Sequence, residues 1–143
     1  MWQWPNYIQY RIDLLKQSKA QKAFDKVRPE ETQEAYDSGQ LVDAYQQDED
    51  LYEWKRLIQT RYLRARADKL LVQMPSADDP EMYNQVEWDK DPSEPKYLTD
   101  KGIRVVRAAI REETKHRREA VGYWFGIAVG VIGALTGLVS AFK

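Results

Sequence analysis

From Ala120 to Phe142 the chain runs 23 residues without a charge, although 31% of all its residues are Asp, Glu, Lys or Arg. As a helix rising about 1.5 Å per residue, this stretch covers about 34 Å, enough to cross a hydrocarbon core of about 30 Å. Ten of its residues are Val, Ile, Leu or Phe. Together they favour insertion by about 3 to 6 kcal/mol. The stretch predicts a transmembrane helix over 120–143, preceded by 119 residues outside the bilayer.

Glycine placement within the stretch is uneven. Gly122, Gly126, Gly130, Gly133 and Gly137, with Ser140, fall within an arc of about 80° on a helix. Phe125, Ile132, Leu135, Leu138, Val139 and Phe142 lie elsewhere on the circumference. Small residues at this spacing let two backbones approach closely, so contact replaces the hydrophobic drive that lipid lacks. The six small residues are therefore the expected packing face, against a second copy or another protein's membrane helix.

The flanks give an orientation. Lys115, Arg117 and Arg118 precede the span, with Arg111, Arg107 and Arg104 further back, and only Lys143 follows it. The positive-inside rule places residues 1–119 in the cytoplasm. Tyr123 and Trp124 stand where an interfacial aromatic belt sits. Arg111, Lys115, Arg117 and Arg118 are expected to meet anionic headgroups, at about 1 kcal/mol per basic side chain. Met1-Trp2-Gln3-Trp4-Pro5 has neither the basic n-region nor the apolar h-region of a secretory signal. The expectation is a single-pass, carboxy-terminally anchored protein of a bacterial plasma (inner) membrane.

Outside the span, charge comes in blocks. Residues 1–28 carry net +4, 30–53 net −9, 55–69 net +5, 78–94 net −6 and 96–119 net +4. Folding any element back on its neighbour would bring opposite signs together, selecting a pairing more than stabilising it. On this view the basic stretch around Arg61, Tyr62, Arg64 and Arg66 is a solvated face paired with the −9 block.

Helical spacing accompanies the blocks, and the fold class is all-α. Ile8, Ile12, Leu15, Ala23 and Val27 mark one face of a first helix that Pro29 ends, with Pro29, Glu30 and Glu31 opening the next. Ala44, Leu51, Ile58, Ala65 and Val72 recur every seven residues, which suggests a cytoplasmic helical hairpin or coiled-coil-like module. Gly39 is a candidate break near its start and Met74-Pro75 its end. The divisions are a two-helix module over 1–73, a proline-rich acidic loop over 74–97 too broken for a regular element, a basic juxtamembrane helix over 98–119 and the anchor over 120–143. Thr99 caps the juxtamembrane helix, whose buried stripe is Ile103, Val106 and Ile110, and the helix is expected to run unbroken into the span.

Tyr97-Leu98-Thr99-Asp100-Lys101-Gly102-Ile103 resembles the Leu-Thr-x-x-Gly lead-in to the last helix of winged-helix DNA-binding domains. The likeness covers about ten residues. What precedes them reads as a proline-rich loop in place of a recognition helix and strand pair, so the likeness implies a helix start and no function.

Catalytic signals are absent. Cysteine is missing, the one histidine is His116 among Lys115, Arg117 and Arg118, and no phosphate loop, dinucleotide fingerprint, zinc pattern or nucleophile elbow occurs. Neither a cofactor nor a metal is expected, and nucleic acid is not the expected partner. The composite expectation is a non-enzymatic scaffold subunit that forms homo-oligomers or pairs with a partner helix. The alternative is a pore-forming or membrane-disrupting effector gated by its cytoplasmic module, with a nucleic-acid tether ranked below it.

Overall fold

The structure, a computed structural model, describes residues 6–86 and 94–141, with side chains as far as Thr136. Helices α1 (Asn6–Val27), α2 (Gln33–Asp37), α3 (Gln40–Leu70) and α4 (Asp100–Ala141) carry the fold. Strands β1 (Tyr83–Gln85) and β2 (Lys96–Leu98) pair antiparallel between α3 and α4. The chain is an all-α module whose last helix is long and apolar enough to cross a membrane.

Local chemistry sets the breaks. Pro29 follows the end of α1, but the next helix opens at Thr32, whose Oγ1 accepts the Ala35 N–H at 3.3 Å. Gly39 then interrupts the chain at φ 79°, a left-handed conformation suited to a residue without Cβ. Helix α3 ends at Leu70, before Met74-Pro75, because Leu71 turns left-handed (φ 59°) and closes the helix with its own N–H on Asp68 O at 3.1 Å.

Helix α1 folds back antiparallel on α3. Tyr10 stacks on Tyr62 with ring centroids 4.1 Å apart, Gln17 Nε2 donates to the Leu51 carbonyl at 3.0 Å, and Gln21 Nε2 donates to Asp48 Oδ1 at 3.1 Å. The seam thus uses Tyr10, Gln17 and Phe24, seven residues apart. The stripe expected to pack is not the packed one: Leu15 is 58% and Val27 75% exposed. Polar residues with partners for their polar ends displace it. Of the heptad, Ala44 and Ile58 on α3 are buried and Leu51 and Ala65 half-buried, while Val72, half-buried too, lies past the end of the helix.

Residues 74–97 hold more regular structure than their prolines suggest. Tyr83 pairs with Leu98, Asn84 with Tyr97 and Gln85 with Lys96. The Leu98 N–H also donates to Thr60 Oγ1 at 2.8 Å, which ties the hairpin to α3 in a buried bond. Leu63 and Ala67 of α3, Tyr83 and Leu98 of the hairpin, and Ile103, Val106 and Ile110 of α4 form one core. The last three are the stripe read from the sequence.

Helix α4 starts where Thr99 Oγ1 accepts the Gly102 N–H at 3.1 Å while donating to the Glu81 carbonyl at 2.6 Å. A Cβ on Gly102 would overlap the Met82 carbonyl oxygen, so only glycine lets the helix approach the hairpin this closely. From there α4 continues for 42 residues, about 63 Å, without a break.

Candidate functional site

Two chemically distinct zones lie along α4. An 18-residue stretch of the helix is apolar enough to cross a membrane, and none of that stretch is buried by the rest of the molecule. A core helix of a soluble domain would be covered. Phe125 is 71% exposed and Ile132 64%. Gly122, Gly126, Gly130 and Gly133 would meet nothing within 4 Å if each gained a Cβ, so this face is open along the single chain. The surroundings of Gly137 and Ser140 lie outside the described residues. Tyr123 and Trp124 are exposed neighbours with rings edge to face at 6.2 Å. Thr136 Oγ1 donates to the Ile132 carbonyl of its own helix at 2.8 Å.

The zone above the apolar stretch is basic. Arg117 is committed within the fold: its Nε donates to Glu113 Oε1 and its guanidinium to the Leu70 carbonyl, both at 2.8 Å. It thereby satisfies an end-of-helix carbonyl at the negative pole of α3. Lys115 is 3.8 Å from Glu119, and His116 lies 3.9 Å from Glu112. Arg111 and Arg118 have no carboxylate within ion-pair distance among the described residues.

At the other end of the α3–α4 contact, an Arg56 guanidinium nitrogen lies 2.6 Å from Asp100 Oδ1 and 2.7 Å from the Tyr52 hydroxyl. Burial works to lower the Arg56 pKa, but these two bonds outweigh it and raise it. The same bond holds the exposed Asp100 carboxyl below the usual carboxylate range, with a smaller push from Arg104. Burial pushes the Tyr97 phenol up, beside Asn84 and the buried Glu53.

These contacts fix the direction of packing. Arg56 meets the start of α4 and Leu70 meets Arg117, so α3 and α4 run parallel. The charge blocks consequently pair otherwise than the sequence suggests. The −9 and +5 blocks cannot fold onto each other, because 30–53 ends and 55–69 lies on the one continuous helix α3. The +4 block that holds α1 does lie along the −9 block, with one ion pair among the described residues, Arg28 to Asp48 at 3.8 Å. The +5 block of α3 instead lies beside the +4 block of α4. Arg66, Arg104 and Arg107 thus join Arg111 in a common cleft, a grouping that the sequence reading missed. The 55–69 and 96–119 blocks are not consecutive, and the direct packing of α3 against α4 brings them together.

Among the described residues, no group of three or more His, Cys, Asp or Glu is placed to hold a metal ion. No protein-family model matches the chain, and neither does any curated protein or solved structure.

Proposed function

We propose that the chain is a non-enzymatic scaffold anchored in a membrane by the second half of α4, with its helical module in the cytoplasm. The observation that carries this reading is the continuity of α4. Its first turns supply Ile103, Val106 and Ile110 to the module's core, and the same helix then runs on as an uncovered apolar rod. A rigid joint of this kind transmits the position and rotation of the span directly to the module. The open glycine face is the surface through which spans associate, with a second copy as the partner. A water-filled pore is less well supported, because apart from Tyr123 and Trp124 the described part of the apolar stretch carries one polar side chain, Thr136, whose hydroxyl donates to its own helix.

The test is oligomer mass of the full-length protein in mild detergent. Gly130→Ile and Gly133→Ile should shift it towards monomer, since a branched side chain holds the backbones apart. Ile132→Ala, on the opposite side, should leave it unchanged. Equal mass for all three variants and wild type would remove the glycine face from the proposal. Dye release from vesicles carrying the wild-type protein would replace the scaffold with the pore.

A further inference from the structure

Between α3 and α4, and closed on one side by Tyr10 of α1, lies a cleft of about 660 Å³. Its walls present four guanidinium groups, those of Arg66, Arg104, Arg107 and Arg111. Among the described residues none of the four has a carboxylate within ion-pair distance, and only Arg104 acts on one from further off, that of Asp100. Arg104, Arg107 and Arg111 follow one another at i+3 and i+4, the spacing at which like charges on a helix repel. Arg66 adds a fourth positive charge from across the cleft. Packing that concentrates charge of one sign costs stability in the empty protein and is relieved by an anion.

The remaining lining defines the anion further. Tyr62, stacked on Tyr10, makes an aromatic wall, and Leu63 and Ile110 contribute apolar surface. The amide oxygen of Gln59 in the same lining is buried without a hydrogen-bond partner. Guanidinium groups bind phosphate through paired N–H donors, so four of them suit linked phosphates better than one carboxylate.

We infer that this cleft binds a soluble small molecule carrying two or three linked phosphates on a flat body, of the nucleoside polyphosphate class. Its length favours a compact ligand. Arg104 to Arg111 spans about 10 Å of helix. Asp100 lies above that run and Glu112 and Glu113 below it, so a phosphate polymer following the helix would meet carboxylates at both ends. Height argues against a lipid headgroup. With Ala120 at the edge of the hydrocarbon, Arg104 stands about 24 Å above it, whereas headgroups occupy only about 5 to 7 Å. Arg118 and Lys115 are within reach of that layer; Arg104 and Arg107 are not.

The experiment titrates the full-length protein, in an uncharged detergent, with ATP. Arg104→Gln and Arg107→Gln should each weaken ATP binding by about tenfold or more. Arg107→Lys, which keeps the charge and the fold, should retain part of it, and Arg64→Gln, on α3 but outside the cleft, should change little. Undetectable ATP binding at millimolar concentration overturns the inference. So does an equal loss in the Arg64 and Arg107 variants, which would mean diffuse attraction to net charge. Phosphatidylglycerol vesicles and a single-stranded oligothymidylate are the comparison arms. Arg107-dependent binding to either, with no competition by ATP, overturns the inference in favour of a headgroup or a phosphate backbone. Because neither arm depends on the glycine face, failure here leaves the scaffold proposal standing, and the reverse holds too.

Discussion

Gly102 shows how one missing atom positions a helix. The hairpin reaches α4 through the Thr99 N–H on Met82 O at 2.9 Å and the Thr99 hydroxyl on Glu81 O. Both bonds pull the Met82 carbonyl against the first turn of α4, where an alanine methyl would overlap it and press on Leu98 at 2.8 Å. Leu98 is fully buried and cannot retreat without opening the core. Alanine in place of glycine favours a helix by about 1 kcal/mol. Overpacking costs about 1 to 3 kcal/mol and dominates where the obstacle is backbone. Gly102→Ala is therefore expected to lower stability, read as a lower urea midpoint for loss of helicity. An unchanged or higher midpoint would mean that the hairpin yields freely to α4. The glycine was visible in the sequence as part of a helix lead-in, but the carbonyl that demands it comes from twenty residues earlier.

At the level of elements, the strongest apolar period was the most legible. Ile103, Val106 and Ile110 are large and regularly spaced, and they pack where their spacing puts them. The face of α1 was not legible, because Tyr10 and Gln17 count as polar until Tyr62 and the Leu51 carbonyl are seen to meet them. Three-residue strands between prolines leave no alternation to read, so β1 and β2 emerge only from Tyr83 and Leu98 sharing the core. The cleft arginines were visible singly, and their convergence depends on α3 and α4 packing directly against each other. The two candidate faces of α1 differ in what mutation does to them. Phe24 is 4% exposed, so Phe24→Ala should destabilise the α1–α3 pairing by up to about 3 to 5 kcal/mol, the range for large core truncations. Leu15→Gln and Val27→Gln, on the uncovered stripe, should stay within about 0.5 kcal/mol. Thermal unfolding of the full-length protein in detergent measures both. A large loss from Leu15→Gln with none from Phe24→Ala would show that the opposite face of α1 is the packed one.

Considered whole, the helical module is basic where it adjoins the apolar half of α4 and net acidic at its far end. The basic parts of α3 and α4 lie next to the apolar half of α4, and the acidic block of residues 30–53 lies away from it. Asp48 precedes Leu70 by 22 residues of continuous helix, about 33 Å. An anionic membrane surface is screened within about 8 Å at physiological ionic strength, so it attracts the near end and does not repel the far one. Insertion with the module in the cytoplasm brings Lys115 and Arg118 to the leaflet that attracts them; the inverted orientation would require carrying both across the bilayer. The chain contains no cysteine, so a single introduced thiol reports its own side of the membrane. Ser38 stands exposed at the break between α2 and α3, far from the apolar half of α4, and is the suitable site on the module. A cysteine appended after Lys143 reports the other side. On intact cells treated with a membrane-impermeant thiol reagent, the appended cysteine should label and Ser38→Cys should label only after the cells are broken. Labelling of Ser38→Cys from outside would place the basic rows on the external side and remove the cytoplasmic orientation. Failure of the appended cysteine to label until lysis, with Ser38→Cys behaving likewise, would mean that α4 does not cross at all. The apolar face of α4 would then lie against a partner inside the cell.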